Sequence, residues 1–228
     1  MNSSEIKSDI LQWDINTWSA ALTYWEKRVD WRKVNNCLEL GGRQGGLSLW
    51  IALKGKHVIC SDLEHVELTA HSLHLKHQVQ SFIQYQDIDA TNIPYENHFD
   101  IIIFKSIIGG IAKIGGIEIQ QKVFDEIRKA LKPGGKLLFA ENLIASPIHQ
   151  FARKNFNKWG NYWRYLMIEE TESFLTKYSK VEYNTSGFIA AFGRSEQQRS
   201  ALSKIDYFLL NKIVPAKWKY VIYGVAEK

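Results

Sequence analysis

The chain has 228 residues, enough to bury the core of one large domain or two small ones. Hydrophobic residues make up 45% and charged residues 23%, which is the globular range and excludes general disorder. A net charge of +5 without a dense Lys/Arg run before the last third argues against a nucleic-acid partner.

Residues 1–33 are predicted to form an N-terminal helical cap. Between residues 14 and 29, apolar side chains recur at helical spacing, and Asp14 or Asn16 can cap the helix. The sequence shows neither a basic-then-apolar leader nor an apolar run of roughly 20 residues, and Cys37 and Cys60 lie in strand-like contexts. We therefore expect a cytoplasmic protein with buried thiols and no disulfide.

The segment from residue 34 to residue 49 organises the rest of the chain. A short apolar strand with Glu39 near its end is followed by Gly41, Gly42 and Gly45, and then by a helix start. Glycine permits the left-handed backbone of a tight turn and lets a ligand approach the main chain. Because the first turn of a helix offers free N–H groups, the segment predicts a nucleotide-like cofactor at the carboxyl end of a strand.

Strand and helix patterns alternate through residues 34–145, which we assign as the cofactor-binding core. The predicted strands are residues 34–40, 57–62, 82–86, 99–104 and 136–140, with helices over 47–53, 64–80 and 117–131. Lysine, proline and two glycines at residues 132–135 predict a turn between the last helix and the last strand. This alternation indicates a parallel, doubly wound sheet.

Residues 146–228 are predicted to carry a substrate lid and the last strands. Ser146 and Pro147 favour a helix start, and an aromatic-rich segment follows to residue 165. Further elements are a short helix from residue 171, a helix over 197–213, and strands over 181–183 and 221–226. Because no linker, repeat or low-complexity segment appears, one domain over residues 1–228 is the simpler account.

Three carboxylates follow predicted strands, at Glu39, Asp62 and Asp89. Asp62 lies about 20 residues beyond the glycine turn, where a carboxylate accepts hydrogen bonds from both hydroxyls of a ribose. Nicotinamide and adenosyl cofactors both contain a ribose, but this turn lacks the full G-x-G-x-x-G spacing that approaches a pyrophosphate. Glu39 would also repel a diphosphate and tolerate a cation. The residues therefore favour a cationic adenosyl ligand.

These features resemble those of the class I S-adenosylmethionine-dependent methyltransferases. The resemblance covers the first two thirds of the chain and is carried, in the family's order, by residues 38–45 (LELGGRQG), 61–62 (SD), 89–95 (DATNIPY), 99–102 (FDII) and 131–137 (LKPGGKL). It implies S-adenosyl-L-methionine as the cofactor. It also implies a Rossmann-like, mostly parallel seven-stranded sheet with helices on both faces and an antiparallel last strand, here with an aromatic-rich lid insertion.

The resemblance implies ten cofactor contacts, at Glu39, Gly41, Gly42, Gly45, Asp62, Leu63, Asp89, Ala90, Lys105 and Ser106. The acid and glycines up to Gly45 would flank the methionine part of the cofactor. Asp62 would hold the ribose hydroxyls, and Leu63 would pack on the adenine.

The remaining contacts lie after the third and fourth strands. Asp89 would reach the adenine amino group with Ala90 beside it, while Lys105 and Ser106 would face the donor and the substrate. The chain departs from the family at Arg43, where glycine is usual. An arginine there must point its side chain away from the cofactor.

The acceptor side is predicted from the residues after the fifth strand. Methyl transfer from a sulfonium is an in-line displacement, and a hydroxyl acceptor also needs a base. His149 is the first candidate base and Glu141 the second, while Asn142 can orient a hydroxyl. The lid residues expected to bind the acceptor are Arg153, Trp159, Tyr162, Trp163 and Arg164. Aromatic faces with amide and guanidinium donors predict O-methylation of a small-molecule or sugar hydroxyl, including a glycan.

Histidines recur on the helix after the second strand, at His65, His71, His74 and His77. They drift around the helix and lack a carboxylate at ligand spacing, so we predict a solvated polar face and no metal.

The C-terminal run over residues 207–220 mixes apolar and basic side chains. An ordinary helix and strand of the same domain is the first interpretation, and peripheral contact with an anionic membrane or a lipid-linked substrate is the alternative. The Trp159-Gly160 pair and residues 223–228 are similar to methyltransferases of bacterial surface-polysaccharide pathways.

Two other functions stay open on the residues alone. One is a NAD-dependent oxidoreductase, against which the missing pyrophosphate glycine and Glu39 argue. The other is a non-catalytic binding protein with a methyltransferase fold, in which Arg43 blocks the cofactor.

Overall fold

The computed structural model describes residues 3–112, 116–156 and 163–228. Its helices are α1 (Ser3–Leu11), α2 (Ile15–Glu26), α3 (Gly46–Ala52), α4 (Val66–Lys76), α5 (Ile108–Ile111), α6 (Gly116–Ala130), α7 (Pro147–Phe156), α8 (Ile168–Phe174), α9 (Glu196–Ile205) and α10 (Asn211–Ile213). Its strands are β1 (Asn36–Leu40), β2 (His57–Asp62), β3 (Ile83–Asp87), β4 (Phe99–Lys105), β5 (Leu131–Asn142), β6 (Lys180–Ser186) and β7 (Val221–Glu227).

The seven strands form one sheet in the order β3-β2-β1-β4-β5-β7-β6. Strands β1 to β5 pair in parallel, and β7 is antiparallel to both of its neighbours. The strand order reverses between β1 and β4, at the switch point where open α/β sheets bind ligands. The predicted Rossmann-like sheet with an antiparallel last strand is confirmed.

Strand β4 shows why the apolar run predicted a central strand. Ile101 and Ile103 pack into the core on one face of the sheet, and Ile102 and Phe104 pack into the core on the other. Because alternate side chains point to opposite faces, a strand covered on both sides must be apolar at every position. Helices α2 and α3 contribute to the first core, and α6 and α8 contribute to the second.

The N-terminal cap holds two helices rather than the single helix that the spacing predicted. Helix α1 precedes α2, and both contact other elements of the fold through buried side chains such as Leu11 and Trp18. The indole Nε1 of Trp25 donates to the carbonyl of Gly224, 2.9 Å away, so α2 is attached to the middle of β7. Trp18 and Trp25 therefore build core, as tryptophans usually do, while Trp13 is 39% exposed.

One predicted boundary is wrong. The expected turn over residues 132–135 lies within β5, whose register with β4 shifts between Phe99 and Ile101. The helical segment predicted over 197–213 is present as α9, a π-helical turn at Asp206–Leu210 and α10 in succession. Both cysteines are buried and unpaired, as expected. Within the described ranges, the structure has no helix with the length and apolar character to cross a bilayer.

Candidate functional site

Backbone strain concentrates at the carboxyl ends of the parallel strands. Among the described residues, eight non-glycine residues have positive φ, and four of them lie in the loops after β1, β2, β4 and β5: Arg43, His65, Ser106 and Ala145. Such conformations cost on the order of 1–3 kcal/mol each and cluster at functional sites. This edge of the sheet is therefore the candidate site.

The turn after β1 leaves no room for side chains at two glycines. Gly41 has φ 64°, and a Cβ there would lie 2.3 Å from Cγ2 of Ile107. Gly45 has φ 74°, and a Cβ there would lie 2.4 Å from the imidazole of His74. Both positions require glycine for their backbone and for their packing.

Glu39 holds the start of α3 from beneath the turn. It is buried and accepts hydrogen bonds from the N–H groups of Leu47 (3.2 Å) and Ser48 (2.7 Å). Burial raises the pKa of its carboxyl to about 7, although these bonds oppose the shift. A Cβ on Gly42 would lie 3.2 Å from the same carboxyl group. Glu39 thus shapes the turn, and its contact with a cofactor stays a prediction.

Arg43 fits the position where glycine is usual by adopting a left-handed backbone. Its φ is 50°, its side chain is exposed, and its N–H donates to Oδ2 of Asp62 at 2.8 Å. The side chain is exposed to solvent, but its charge still acts on the ammonium of Lys105. The expected direction away from the cofactor therefore stays a prediction.

Asp62 and Leu63 lie beside this turn at the end of β2. Asp62 accepts from the N–H groups of Arg43 and Leu63, which orients its carboxylate. Leu63 is 61% exposed. An exposed apolar side chain beside an oriented carboxylate suits a ring and a ribose diol.

Two carboxylates follow β2's neighbour β3. Asp89 is exposed and accepts from the N–H and hydroxyl of Thr91, both at 2.8 Å, while Ala90 is half-buried. Asp87, which sequence reasoning passed over, accepts from the N–H groups at the start of α4 and thereby positions the loop after β2. A carboxylate that caps a helix is recognisable from sequence when it directly precedes the helix. Asp87 lies more than 20 residues after the start of α4, so this role could not be recognised from the sequence.

Lys105, at the end of β4, points toward the N-terminal cap. Its ammonium donates to the carbonyl of Leu11 at 3.0 Å and lies 4.9 Å from the ring of Trp18 and 5.3 Å from that of Trp13. Cation–π contacts of this kind strengthen where water is excluded. Lys105 therefore ties α1 and α2 to the candidate site.

Several carboxyl groups lie close enough to act on Lys105. Burial lowers the pKa of its ammonium to about 8, and the carboxylates of Asp14, Glu39 and Glu141 oppose this shift. The inner part of the site is thus a cluster of one lysine and three buried acids.

Glu141 repeats on β5 the arrangement of Glu39 on β1. It is buried and accepts from the N–H groups of Ile107 (2.9 Å) and Ile108 (2.7 Å), and burial raises its pKa to about 7. Its neighbour Asn142 donates to Oγ of Ser106 at 2.6 Å. Because its oxygens already accept three backbone N–H groups, Glu141 is occupied in shaping the loop after β4.

His149 is a satisfied core histidine. It is 2% exposed, with Nδ1 2.7 Å from Oγ of Ser146 and Nε2 2.7 Å from the carbonyl of Phe188. Since a carbonyl only accepts, Nε2 carries the proton and Nδ1 accepts from the hydroxyl. Burial lowers the pKa of the ring, which stays neutral. No nitrogen is left to take a proton from an acceptor, so this geometry does not support the predicted base.

Replacing His149 with alanine is expected to lower the free energy of unfolding by about 2–4 kcal/mol, because the change opens a cavity and leaves Ser146 and the Phe188 carbonyl without a partner. Urea denaturation measures the loss, and turnover of the folded fraction should persist. Wild-type stability combined with abolished turnover would restore His149 as the base.

The lid residues occupy different places. Arg153 donates to the carbonyls of Leu143 and Ile144 at 2.8 and 2.9 Å and stacks 3.7 Å from the ring of Tyr165. Arg164 forms an ion pair with Glu170.

The three aromatic lid residues are Trp159, Tyr162 and Trp163. Trp163 packs on Gly109 and Gly110 of α5, where a Cβ would lie within 3.0 Å of its ring. Trp159 and Tyr162 lie outside the described residues. Of the five, only Arg153 lines the cavity described next.

A cavity of about 680 Å³ opens beside the carboxyl end of β5. It lies between the start of α2, helix α7 and the loop before α9, and its wall includes Trp13, Asp14, Asn142, Arg153, Tyr165 and Tyr220. Its size and its mixture of aromatic and polar groups are those of a small-molecule site. Sequence reasoning had Asn142, His149, Arg153 and Tyr165 on this side and missed Trp13, Asp14 and Tyr220 as parts of the wall.

Asp14 is the most unusual residue of the cavity wall. It is 1% exposed and has φ 46°, and its Oδ2 accepts from the hydroxyl of Tyr220 at 2.5 Å. Its Oδ1 is shielded from water and has no hydrogen-bond partner among the described residues. Burial raises the pKa of the carboxyl to about 6. An unpartnered buried carboxylate oxygen needs an explanation, and a missing ligand is one.

The prediction of a solvated histidine face is wrong for His74, on α4, and for His77, which follows the last residue of that helix. His74 is fully buried, donating from Nε2 to the carbonyl of Gly45 at 2.9 Å and accepting at Nδ1 from Tyr85 at 2.7 Å. His77 is buried beside Asp9. Val66, Ala70 and His74 lie four residues apart on one buried face of α4. This helical spacing in the sequence could have predicted that His74 is buried. Within the described ranges, no group of His, Cys, Asp or Glu is placed to hold a metal.

Residues 38–139 match a family model described as a methyltransferase domain. No curated protein matches the sequence. Among solved structures, phosphoethanolamine N-methyltransferase 2 of Haemonchus contortus, in complex with S-adenosyl-L-methionine, is similar with a TM-score of 0.64 and 18% identity. The match covers 92% of this chain and 52% of that chain, so the protein spans about half the length of that enzyme.

Two other solved structures are similar over nearly their whole length. A possible histamine N-methyltransferase of Thermotoga maritima matches with a TM-score of 0.64 and 16% identity, over 94% of this chain and 91% of that one. Protein PH0226 of Pyrococcus horikoshii matches with a TM-score of 0.62 and 16% identity, over 99% and 92%. The chain thus has the Rossmann-like fold of these methyltransferases, and its residues 38–139 match the model of a methyltransferase domain.

Proposed function

We propose that the protein is an S-adenosyl-L-methionine-dependent methyltransferase that methylates a hydroxyl of a small molecule or sugar. The observation that carries this proposal is the oriented carboxylate of Asp62 beside the exposed Leu63 and the glycine turn, at the switch point of a methyltransferase fold. The family-level resemblance further suggests a sugar of a bacterial surface polysaccharide, and the two unpaired cysteines favour a cytoplasmic location.

The side chains at the turn fit the cofactor. Asp62 can accept the ribose hydroxyls and Leu63 can cover the adenine, while Asp89 is exposed at the end of the next loop. Arg43 is exposed to solvent, so its side chain can turn away from a ligand in the turn. When bound, S-adenosyl-L-methionine supplies an electrophilic methyl group on a sulfonium. The protein's own task is then to align the acceptor and to exclude water.

The cavity beside β5 is the proposed acceptor site. Asn142 lines it and also donates to Ser106, which follows β4, so the cavity wall reaches the strand next to β1. This adjacency supports an acceptor bound on the β5 side and a donor bound on the β1 side. The aromatic rings of Trp13 and Tyr165 supply flat apolar walls of the kind that sugars and small rings pack against.

Asp14 is the proposed proton acceptor in place of His149. Its Oδ1 lacks a partner, and a hydroxyl of the acceptor that displaces the side chains shielding this oxygen would supply the missing hydrogen bond. A carboxylate whose pKa is raised toward neutrality is a better base than an ordinary one. Oδ2, held by Tyr220, would keep the group oriented as Oδ1 receives the proton.

An amine is the second acceptor class. Two of the similar solved structures are named as N-methyltransferases, and a buried carboxylate without a partner among aromatic rings also suits a protonated amine. Transfer of labelled methyl to a panel of nucleotide sugars, glycans, small phenols and small amines distinguishes the two classes.

Thermal unfolding tests the cofactor directly. S-adenosylhomocysteine at 100 times its Kd should stabilise the protein by about 2.7 kcal/mol, which corresponds to a rise in Tm of roughly 5–10 °C for a chain of this size. NAD at the same concentration should leave Tm unchanged. A rise with NAD alone would favour the oxidoreductase, and no rise with either would favour a non-catalytic protein.

A further inference from the structure

The segment over residues 204–218 presents large apolar side chains to solvent. Tyr207 is 70% exposed, Phe208 and Ile213 are each 66% exposed, and Leu209 is 53% exposed. They lie on the π-helical turn and α10, and Trp218, 42% exposed, follows in the next turn. Single exposed apolar residues are common, but a cluster of this kind marks an interaction surface.

Two polar side chains of the same segment, those of Asp206 and Asn211, point inward. Asp206 is 1% exposed, and its carboxylate accepts from the N–H groups of Phe188, Ile189 and Ala190. Asn211 accepts from the N–H of a neighbouring loop residue, Gly187, at 2.9 Å. The polarity is therefore the reverse of that of an ordinary surface helix, in which apolar side chains face the core. Since these inward bonds anchor the segment, the aromatic residues cannot turn inward without breaking them.

The charge of this surface is of one sign. Its exposed charged side chains are Lys204, Lys212 and Lys217, and the one acid in the segment is the buried Asp206. None of the three lysines forms an ion pair with a residue that the structure describes. Apolar and aromatic side chains flanked by unpaired lysines suit the boundary between acyl chains and anionic headgroups.

We propose that the 204–218 surface binds the face of a membrane containing anionic lipid. The aromatic and aliphatic side chains enter the headgroup boundary, and the three lysines lie among the phosphates, each adding about 1 kcal/mol near such a surface. A second copy of this chain would bring lysines against lysines if it used the same surface symmetrically, which disfavours that occupant. The proposal does not depend on the proposed function.

The surface is connected to the wall of the 680 Å³ cavity. Asp206 holds residues 188–190, and the next residues, including Phe192 and Arg194, line that cavity. A bound membrane would therefore lie against the segment that supports this wall.

Vesicle co-sedimentation tests the proposal with the full chain. The protein should bind vesicles of equal parts phosphatidylcholine and phosphatidylglycerol and should not bind phosphatidylcholine alone, and added salt should weaken binding. The double variants Tyr207→Ser/Phe208→Ser and Lys212→Glu/Lys217→Glu should each lower the partition coefficient by about tenfold or more. Their side chains are exposed, so circular dichroism and Tm should match those of the natural chain.

The control is Leu68→Ser on α4, where the leucine is 82% exposed and lies outside the surface. It should bind vesicles like the natural chain. Equal binding to both vesicle types, no binding to the anionic ones, or unchanged binding by the double variants would overturn the proposal. A concentration-dependent dimer in analytical ultracentrifugation that the Tyr207→Ser/Phe208→Ser variant abolishes would assign the surface to a second copy instead.

Discussion

Replacing Asp14 with asparagine is expected to lower methyl transfer by about a hundredfold or more, the usual effect of removing a positioned base. Asparagine has nearly the same shape and can still accept from Tyr220 at one oxygen, so the cavity should keep its form. The affinity for S-adenosylhomocysteine should not change, because Asp14 lies in the wall of the acceptor cavity. Single-turnover rates with labelled donor measure the loss, and calorimetric titration measures the affinity.

The pH dependence follows from the raised pKa of Asp14. A base must be ionised, so the rate should rise with pH through about 6 and the Asp14→Asn variant should lack this limb. Neighbouring groups set the pH at which the rate rises. Glu196 raises the pKa of Asp14, whereas Arg199 and the Tyr220 hydroxyl lower it. The ammonium of Lys105 also lies within electrostatic range of the carboxylate.

The same pKa predicts the effect on stability. Because the folded-state pKa lies above the model-compound value of 3.8, the folded chain binds the proton more tightly, and Asp14 contributes less stability as pH rises from 3.8 toward 6. At neutral pH the ionised group opposes folding. Asp14→Asn should therefore be no less stable than the natural chain, a combination of lost activity and retained stability that is typical of functional residues.

Glu196→Gln is the matched control. Glu196 accepts from the N–H groups of Asp14 and Ile15 at 2.9 and 2.7 Å and so holds the same loop without facing the acceptor as a base. If Asp14 acts chemically, Glu196→Gln should keep most of the turnover. Equal losses in both variants, or full turnover by Asp14→Asn, would show that Asp14 is not the base.

Replacing Asp62 with asparagine is expected to weaken S-adenosylhomocysteine binding by roughly tenfold to a hundredfold. A hydrogen bond to a charged acceptor contributes about 1.5–3 kcal/mol, and 1.4 kcal/mol is a factor of ten in Kd. The amide also cannot accept from two hydroxyls while accepting from Arg43 and Leu63. Isothermal titration calorimetry measures the change.

Asp87→Asn provides the comparison on the same edge of the sheet. Asp87 accepts from the N–H groups of His65 and Val66, and backbone hydrogen bonding lowers the pKa of its carboxyl. Its replacement should lower stability slightly, because the first turn of α4 loses its acceptor, and should leave the affinity nearly intact. Unchanged affinity in Asp62→Asn, or an equal loss in Asp87→Asn, would remove the ribose assignment.

The fold was predictable because its evidence is local. The apolar run at residues 99–104 requires a strand covered on both faces, and the alternation of strand and helix periods requires parallel pairing. The carboxyl ends of such strands meet at one edge, so Glu39, Asp62 and Asp89 could be grouped before any coordinates were known.

The chemistry of the cavity was not predictable in this way. Asp14 was expected to act as a helix cap, but its side chain makes no capping bond and instead meets Tyr220, 206 positions away. His149 was expected to be a free base, but its Nε2 donates a hydrogen bond to the carbonyl of Phe188, 39 positions away. Only the folded chain brings these partners together, and partnership decides whether a polar side chain can react.

The sequence by itself thus determined the sheet, the glycine turn and the acids at the strand ends, because periodicity, turn chemistry and strand ends are properties of neighbouring residues. The tertiary structure decided which acids and histidines are buried with hydrogen-bond partners, because burial and hydrogen bonding depend on residues far apart in the chain. It left Oδ1 of Asp14 without a partner and placed Tyr207 and Phe208 outward. Neither feature could be predicted from the residues that adjoin it in the sequence.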